Sequence, residues 1–277
     1  MAETERKTKR CPTDLTGAGW ARIAPLLAAP HRRGRPRRTD LREALNAIRC
    51  LVRTGCGWRM LPKDFAPWQT VCWWFRRFVR QMLFATIHAL ALMLDRQRAG
   101  RTEVPSAGVP DGQTVKAPAA GADRGRDGAK RTVGRRRHIA VGGCHRGAIG
   151  SDPMAGGRLL MVNLTPADIS DTAGAKAVLQ ALRARWPWMK TLFADSAHDR
   201  AGLMDEAAML DFTVEVARKT EGQAGFQVLP RRRVVQRTLA RRTRRHRLEH
   251  DCEARIDVSE AMTHVATASP LIRRLSH

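Results

Sequence analysis

No tyrosine occurs anywhere in this chain of 277 residues, an odd absence at such a length. Acid is scarce too: 26 aspartates and glutamates face 50 lysines and arginines, a formal net charge of +24. No apolar run reaches the roughly 18 residues of a membrane span. The opening MAETERKTKRCP lacks the apolar core of a secretory signal, so the cytoplasm is the expected compartment. The cysteines, Cys11, Cys50, Cys56, Cys72, Cys144 and Cys252, never fall at Cys-x-x-Cys spacing. That argues against a zinc site or a disulfide frame and for reduced thiols. The histidines are scattered without metal-ligand spacing, and His138 and His198 read as packing or surface residues.

What is present in excess is arginine. Its forked guanidinium matches phosphate geometry, so a polyanionic partner is the first expectation from composition. The length suits one large domain or two smaller ones. Residues 1–10 are charged and read as a disordered N-terminus. Residues 11–98 carry helical periodicity. Thr16 is placed to cap a helix bearing Trp20, Ile23 and Leu27, which Pro25 disturbs. After the basic loop 31–38, Asp40 opens a helix with Leu41, Leu45, Ile48 and Val52 on one face, ended by Gly55 and Gly57. A third helix from about Trp68 puts Val71, Trp74, Phe75, Phe78 and Met82 on its apolar face and Arg76, Arg77 and Arg80 off it. A further helix spans roughly Phe84 to Arg96. Two helices and a turn, the second helix basic, fit a helix-turn-helix DNA reader. An ordinary helical bundle with a solvated basic side is the alternative.

Residues 99–108 read as a linker, and 109–277 as a mixed α/β domain. Within it, Val109-Pro110-Asp111 is a candidate strand end, although Pro110 is poor in a central strand. Segments 137–141 and 158–164 are strand-like, and the Gly-rich stretch 142–157 between them is a loop insertion. Asp171 or Thr172 caps a helix with Ala175, Val178, Leu179, Leu182 and Trp186 on one face. Thr191-Leu192-Phe193-Ala194-Asp195 is a short apolar run ending in a carboxylate, a buried strand whose carboxyl end is where α/β sheets bind ligands. A capping or turn aspartate is the plainer alternative for Asp195. A helix near 203–210, a strand at 212–216 and basic helical stretches at 231–247 and 259–274 follow.

Several of these segments together resemble bacterial insertion-sequence transposases of the DDE class, the insertion-sequence-four and insertion-sequence-five groups. The resemblance runs through Gly34-Arg35-Pro36-Arg37, the stretch 51–65, Asp111-Gly112-Gln113-Thr114-Val115-Lys116, Gly134-Arg135-Arg136-Arg137-His138, Phe193-Ala194-Asp195 and 228–235. It implies a helical end-binding domain followed by an RNase H-like catalytic domain. It also implies three carboxylates holding two divalent ions, Mg²⁺ or Mn²⁺. The first two match Asp111 and Asp195. The third, a glutamate in the family, falls on Gln236. Two aspartates and a glutamate would set three negative charges against four positive ones. Gln236 keeps the shape, loses a charge and offers only an amide oxygen. Glu249 and Asp251 lie roughly 20 Å further along a continuous helix, too far to substitute.

Other departures from the family pattern point to a drifting copy. Ser196 and His198 stand where Gly and Tyr are usual. Cys72, Arg126 and Cys252 stand where Tyr is common, which accounts for the missing tyrosines. Pro270 interrupts a helix that is Leu-rich in relatives. Double-stranded DNA, both inverted-repeat element ends and target, is the implied partner of a homodimer. Arg76, Arg77, Arg80, Lys116, Arg135, Arg136, Arg137, Arg231, Arg232, Arg233 and Arg237 are the candidate DNA contacts. A catalytically inactive DNA-binding remnant, or an inhibitor of transposition, is the competing reading. A general RNA-binding protein is a third, which the carboxylate placement disfavours.

Overall fold

The structure is a computed structural model that describes residues 11–27, 37–117, 123–143, 158–195, 201–217 and 246–275. Helix α1 (Gly17–Ile23) is capped by Thr16, whose hydroxyl accepts from the Gly19 amide, and Pro25 turns its end into the 3-10 turn Ala24–Leu26. Asp40 caps α2 (Leu41–Thr54), and Gly55 closes it at φ 74°, a left-handed conformation that favours glycine. The connection to α3 (Trp68–Arg80) runs from Gly55 to Pro67 through the 3-10 turn Trp58–Met60. It is longer than the three- or four-residue turn of DNA-reading helix-turn-helix units. Met82, expected on the buried face of α3, is instead the left-handed joint (φ 53°) to α4 (Leu83–Arg98), and it is exposed.

The sheet contains β1 (Ala107–Lys116), β2 (Gly125–Asp127), β3 (Thr132–Gly143), β4 (Arg158–Pro166), β5 (Thr191–Asp195) and β6 (Thr213–Ala217). Its order is β2-β3-β1-β5-β6, with β4 also paired to β3. Because Gly134 pairs with both Lys116 and Gly125, β2 lies on the edge of β3 opposite β1, as does β4. The β1–β3 and β3–β4 pairs are antiparallel, while β1–β5 and β5–β6 are parallel. Three antiparallel strands followed by two parallel ones, with helices between, form the RNase H-like mixed α/β arrangement. Pro110 lies within β1, between β3 and β5, despite lacking an amide donor. Helix α5 (Asp171–Arg185) packs on β1, β3 and β4. Its cap is Ser170, whose hydroxyl accepts from the Ala173 amide, one residue ahead of the cap expected from sequence. A Cβ at Gly174 would meet His138 Nε2 at 2.0 Å, so only glycine lets α5 approach the sheet there. Helices α6 (Ala201–Met209), α7 (His246–Glu249) and α8 (Ile256–Arg274) complete the described elements.

One buried apolar cluster runs from Leu15 through α2, α3 and α4 to α5 and α8. The last helix, α8, lies along α4 and also meets α2 and α3. Helical segment and sheet therefore share an interior. Arg96 pins the connecting stretch, donating to the carbonyls of Thr102 at 2.8 Å and Val104 at 2.9 Å. Asp95, fully buried, accepts from Arg158 Nε on β4 at 2.5 Å and lies 3.4 Å from Arg274 Nη1 on α8. The cysteines among the described residues are free, and burial pushes the Cys50 thiol up to about 12. Among these residues no single helix is long and apolar enough to cross a membrane.

Where α4 meets α8, the rings of His88 and His264 stand 5.2 Å apart. Burial pushes both imidazoles down, His264 to about 4; Arg185 adds to the shift of each, and His264 adds to that of His88. Both are therefore neutral in the fold, and the unfolded chain takes up protons first. Stability is complete above about pH 6.5 and falls as pH drops towards 4, by about 1.4 kcal/mol per pH unit for each ring. Thermal melts across that window should show a falling Tm. The double variant His88→Leu/His264→Leu should flatten the decline.

Candidate active site

The site is built on the centre of the sheet. In the parallel β1–β5 pair, Ala107 stands opposite Thr191 and Gly108 opposite Leu192. The same offset carried three residues further sets position 111 level with position 195. On the other side of β1, Asp111 is paired with Ile139. Strand alternation puts both aspartate positions on the face whose buried members include Ala107, Val109, Ile139 and Phe193. Asp111 lies mid-strand in β1 and Asp195 ends β5, so the two aspartates belong to neighbouring strands of the sheet. Gln236 lies outside the described residues, as do Arg231, Arg232, Arg233, Arg237, Ser196, His198 and the stretch 144–157 of the loop insertion. Among the described residues no group of three or more His, Cys, Asp or Glu side chains forms a metal site.

Three of the proposed phosphate contacts are interior. Arg135, Arg136 and Arg137 are 0%, 9% and 1% exposed, so they do not offer their charge to an external phosphate. Arg136 donates to Asp127 Oδ2 at 2.9 Å and to the Ile169 carbonyl at 2.8 Å. Asp127 also accepts from the Thr114 hydroxyl at 2.6 Å and from the Ala129 and Lys130 amides. The Thr114 bond, with help from the Lys130 amide and Arg136, holds its carboxyl well below the usual range. Arg135 donates to Asp251 Oδ2 at 3.1 Å, and to the carbonyls of Glu253 at 2.9 Å, Ala254 at 2.7 Å and Asp123 at 2.9 Å. Arg137 reaches the Leu248 carbonyl at 3.3 Å, and burial pulls its pKa down against the pull of Asp251. The sequence misled here because a Gly-Arg-Arg-Arg run looks like a surface patch, whereas β3 is central and the carbonyls it faces come from far along the chain.

These arginines have a structural task close to the site. Arg135 and Arg137 draw residues 248–254, the stretch following the segment that contains Gln236, onto β3. The Asp251 amide bonds the Lys116 carbonyl at 2.8 Å. Arg247 pairs with Glu253 at 2.7 Å and donates to the Cys56 carbonyl, tying the same stretch to the α2–α3 connection. Lys116, at the end of β1, is exposed, as are Arg76 and Arg80 on α3; Arg77 is half-buried. Sequence reasoning missed Asp127, Asp251 and the exposed Trp73. Only Trp73 had a local signal: helical periodicity puts it away from the apolar face that Val71, Trp74, Phe75 and Phe78 share on α3.

Removing one partner of the buried Arg135–Asp251 pair leaves an uncompensated charge. Arg135→Met or Asp251→Asn should each cost about 3–5 kcal/mol of stability. The double variant Arg135→Met/Asp251→Leu should cost less than the sum of the two. Urea unfolding of the three variants measures this.

Two family matches cover most of the chain. Residues 15–88 match the family described as transposase of IS4/5 family (DUF4096). Residues 103–270 match the transposase DDE domain. A search of curated proteins finds no match. The DDE family acts on DNA and generally uses divalent metal ions, and its match spans both aspartate positions and the sheet that carries them. With the helical region assigned to one transposase family and the sheet to another, the chain belongs to the DDE transposases of the IS4/IS5 group.

Proposed function

We propose that this protein binds insertion-sequence DNA and carries the phosphoryl-transfer site of a transposase, weakened in this copy by Gln236. What supports the reading is the parallel pairing of β1 with β5, Ala107 opposite Thr191 and Gly108 opposite Leu192, whose offset continued along both strands brings positions 111 and 195 level. Cutting or joining DNA is an in-line displacement at phosphorus by water or a 3′-hydroxyl. Two aspartates provide the hard, charged oxygens that Mg²⁺ or Mn²⁺ prefers, so the donor set fits such ions at Asp111 and Asp195. Two ions, when bound, supply the positive charge that steadies the attacking and leaving oxygens.

Gln236 gives a neutral oxygen where a third anion is expected. Four downstream acids are already committed. Asp251, Glu253 and Asp257 are ion-paired with Arg135, Arg247 and Arg255. Glu260 accepts from the Leu164 amide at 3.1 Å on β4. DNA contact falls to the outward side of α3, where Arg76 and Arg80 are exposed, and to Lys116 beside the site. Phosphate contacts of this kind set register and affinity rather than base choice.

The test uses the full chain and a duplex carrying the inverted repeat that flanks its gene. The unaltered protein should bind that duplex and cleave it poorly with Mg²⁺ or Mn²⁺. Gln236→Glu should tighten Mn²⁺ binding by calorimetry and raise cleavage by roughly a hundredfold, the scale of one charge contact in a transition state. EDTA should abolish the gain while binding persists. Efficient cleavage by the unaltered chain, lost in Asp195→Asn, would retain the transposase and discard the impairment. Intact binding with no rescue would leave a DNA-binding remnant. Loss of both binding and metal uptake would remove the function altogether.

A further inference from the structure

Helix α3 presents an unusual outward stripe: Gln69, Trp73, Arg76 and Arg80 follow one another at four- and three-residue spacing, and all are exposed. Trp73 is 54% exposed, yet it is held firmly. Its ring stands edge-on to Trp74 at 4.9 Å and 88°, and the Arg77 guanidinium lies 5.6 Å from the Trp73 ring and 5.5 Å from the Trp74 ring. Trp74 in turn meets Phe78 at a tilt with ring centroids 5.7 Å apart, and Phe78 stands edge-on to Phe84 at 5.9 Å. A row of aromatic contacts thus runs from the buried core out to one exposed indole. Among the described residues neither Arg76 nor Arg80 has a hydrogen-bond or ion-pair partner. The other half-exposed indole, Trp188, lies in a different setting: nearby Arg183 is committed to the carbonyls of Pro187, Leu210 and Asp211.

We propose that Trp73 is a base-stacking residue: with Arg76 and Arg80 seated on phosphates, the indole stacks on a nucleobase left unpaired by local opening of the duplex. This rests on the reading of α3 as a DNA-facing helix. An exposed indole costs solvation, and its π-face suits any base. The two free guanidiniums and the chain's net charge of +24 select a polyanion as the occupant of this side. A pre-held ring loses little rotamer freedom on stacking, since Trp74 and Arg77 already restrict it.

The test compares the full chain with Trp73→Ala, Trp73→Phe and Arg76→Ala/Arg80→Ala on two duplexes, one fully paired and one with a single bulged adenine, across a salt series. The unaltered protein should prefer the bulged duplex by about tenfold, within the range of base–aromatic stacking. Trp73→Ala should lose that preference with its salt slope intact, since no charge is removed, and Trp73→Phe should keep most of it. Arg76→Ala/Arg80→Ala should flatten the slope on both duplexes. Melting temperatures of the variants should match the parent, because these side chains are exposed. If the arginine variant flattens the slope while Trp73→Ala binds both duplexes like the parent, α3 faces DNA and the stacking role is wrong. Equal weakening on both duplexes would make the indole a groove-packing group and overturn stacking on an unpaired base. A change in oligomeric mass on Trp73→Ala, with the DNA preference unaltered, would give the indole to a protein interface and also overturn it. An unchanged slope in the arginine variant would fail the reading of α3 itself.

Discussion

Four buried carboxylates, Asp95, Asp127, Asp251 and Glu253, each hold an arginine, and the pairs of Asp95 with Arg158 and of Asp251 with Arg135 join distant parts of the chain. In a protein so short of acid this is a strong constraint. A buried charge without its partner is costly, while a buried pair with its remaining hydrogen bonds satisfied is tolerated. Asp95 joins α4, β4 and α8 through Arg158 and Arg274. Asp127 ties the β2 turn to Arg136 on β3. Asp251 and Glu253 hold the stretch entering α8 against β3 and the α2–α3 connection. Apolar burial fills the volume between these points, but the ion pairs fix which elements meet.

That division sorts the cations. Arginines inside the sheet and at its edge are structural, and those left on the surface are available to a polyanion. Burial and partner, not position in a basic run, separate the two sets. Arg135 and Arg76 look alike in composition. One is fully enclosed by backbone carbonyls and an aspartate, and the other stands exposed without a partner among the described residues. The proposed DNA face is consequently narrower than the charge of the whole chain implies, and it centres on α3 and Lys116. The same arrangement leaves four acids after position 236, Asp251, Glu253, Asp257 and Glu260, already engaged.

Much of the fold was legible because it depends on local rules. Thr16 and Asp40 cap the helices they precede, Gly55 ends α2, and the apolar spacing of α2 and α5 matches their buried faces. The strand ending at Asp195 has its apolar run and its boundary where the pattern put them. Pro110 was the main obstacle on β1, since a proline argues against a central strand, yet β1 holds that place with one amide fewer. The helix-turn-helix idea rested on helix count and charge, and the connection through Trp58–Met60 is longer than such a unit uses.

By itself, then, the sequence determined the element types and the basic character, because periodicity, capping and residue chemistry act over short stretches, while its motifs carried the family resemblance that implies Asp111, Asp195 and position 236 as a series. Tertiary structure alone decided that β1, which carries Asp111, pairs in parallel with β5, which ends at Asp195, because strand register depends on pairing across more than eighty residues of chain. It alone decided that Arg135 and Arg137 are buried, because Asp251, Leu248, Glu253 and Ala254, which accept from them, lie more than a hundred positions away. Helical periodicity turns Trp73 off the apolar face that Trp74 joins, but tertiary structure alone decided that the side of α3 bearing Trp73 stays exposed among the described residues, because that depends on which other elements pack there.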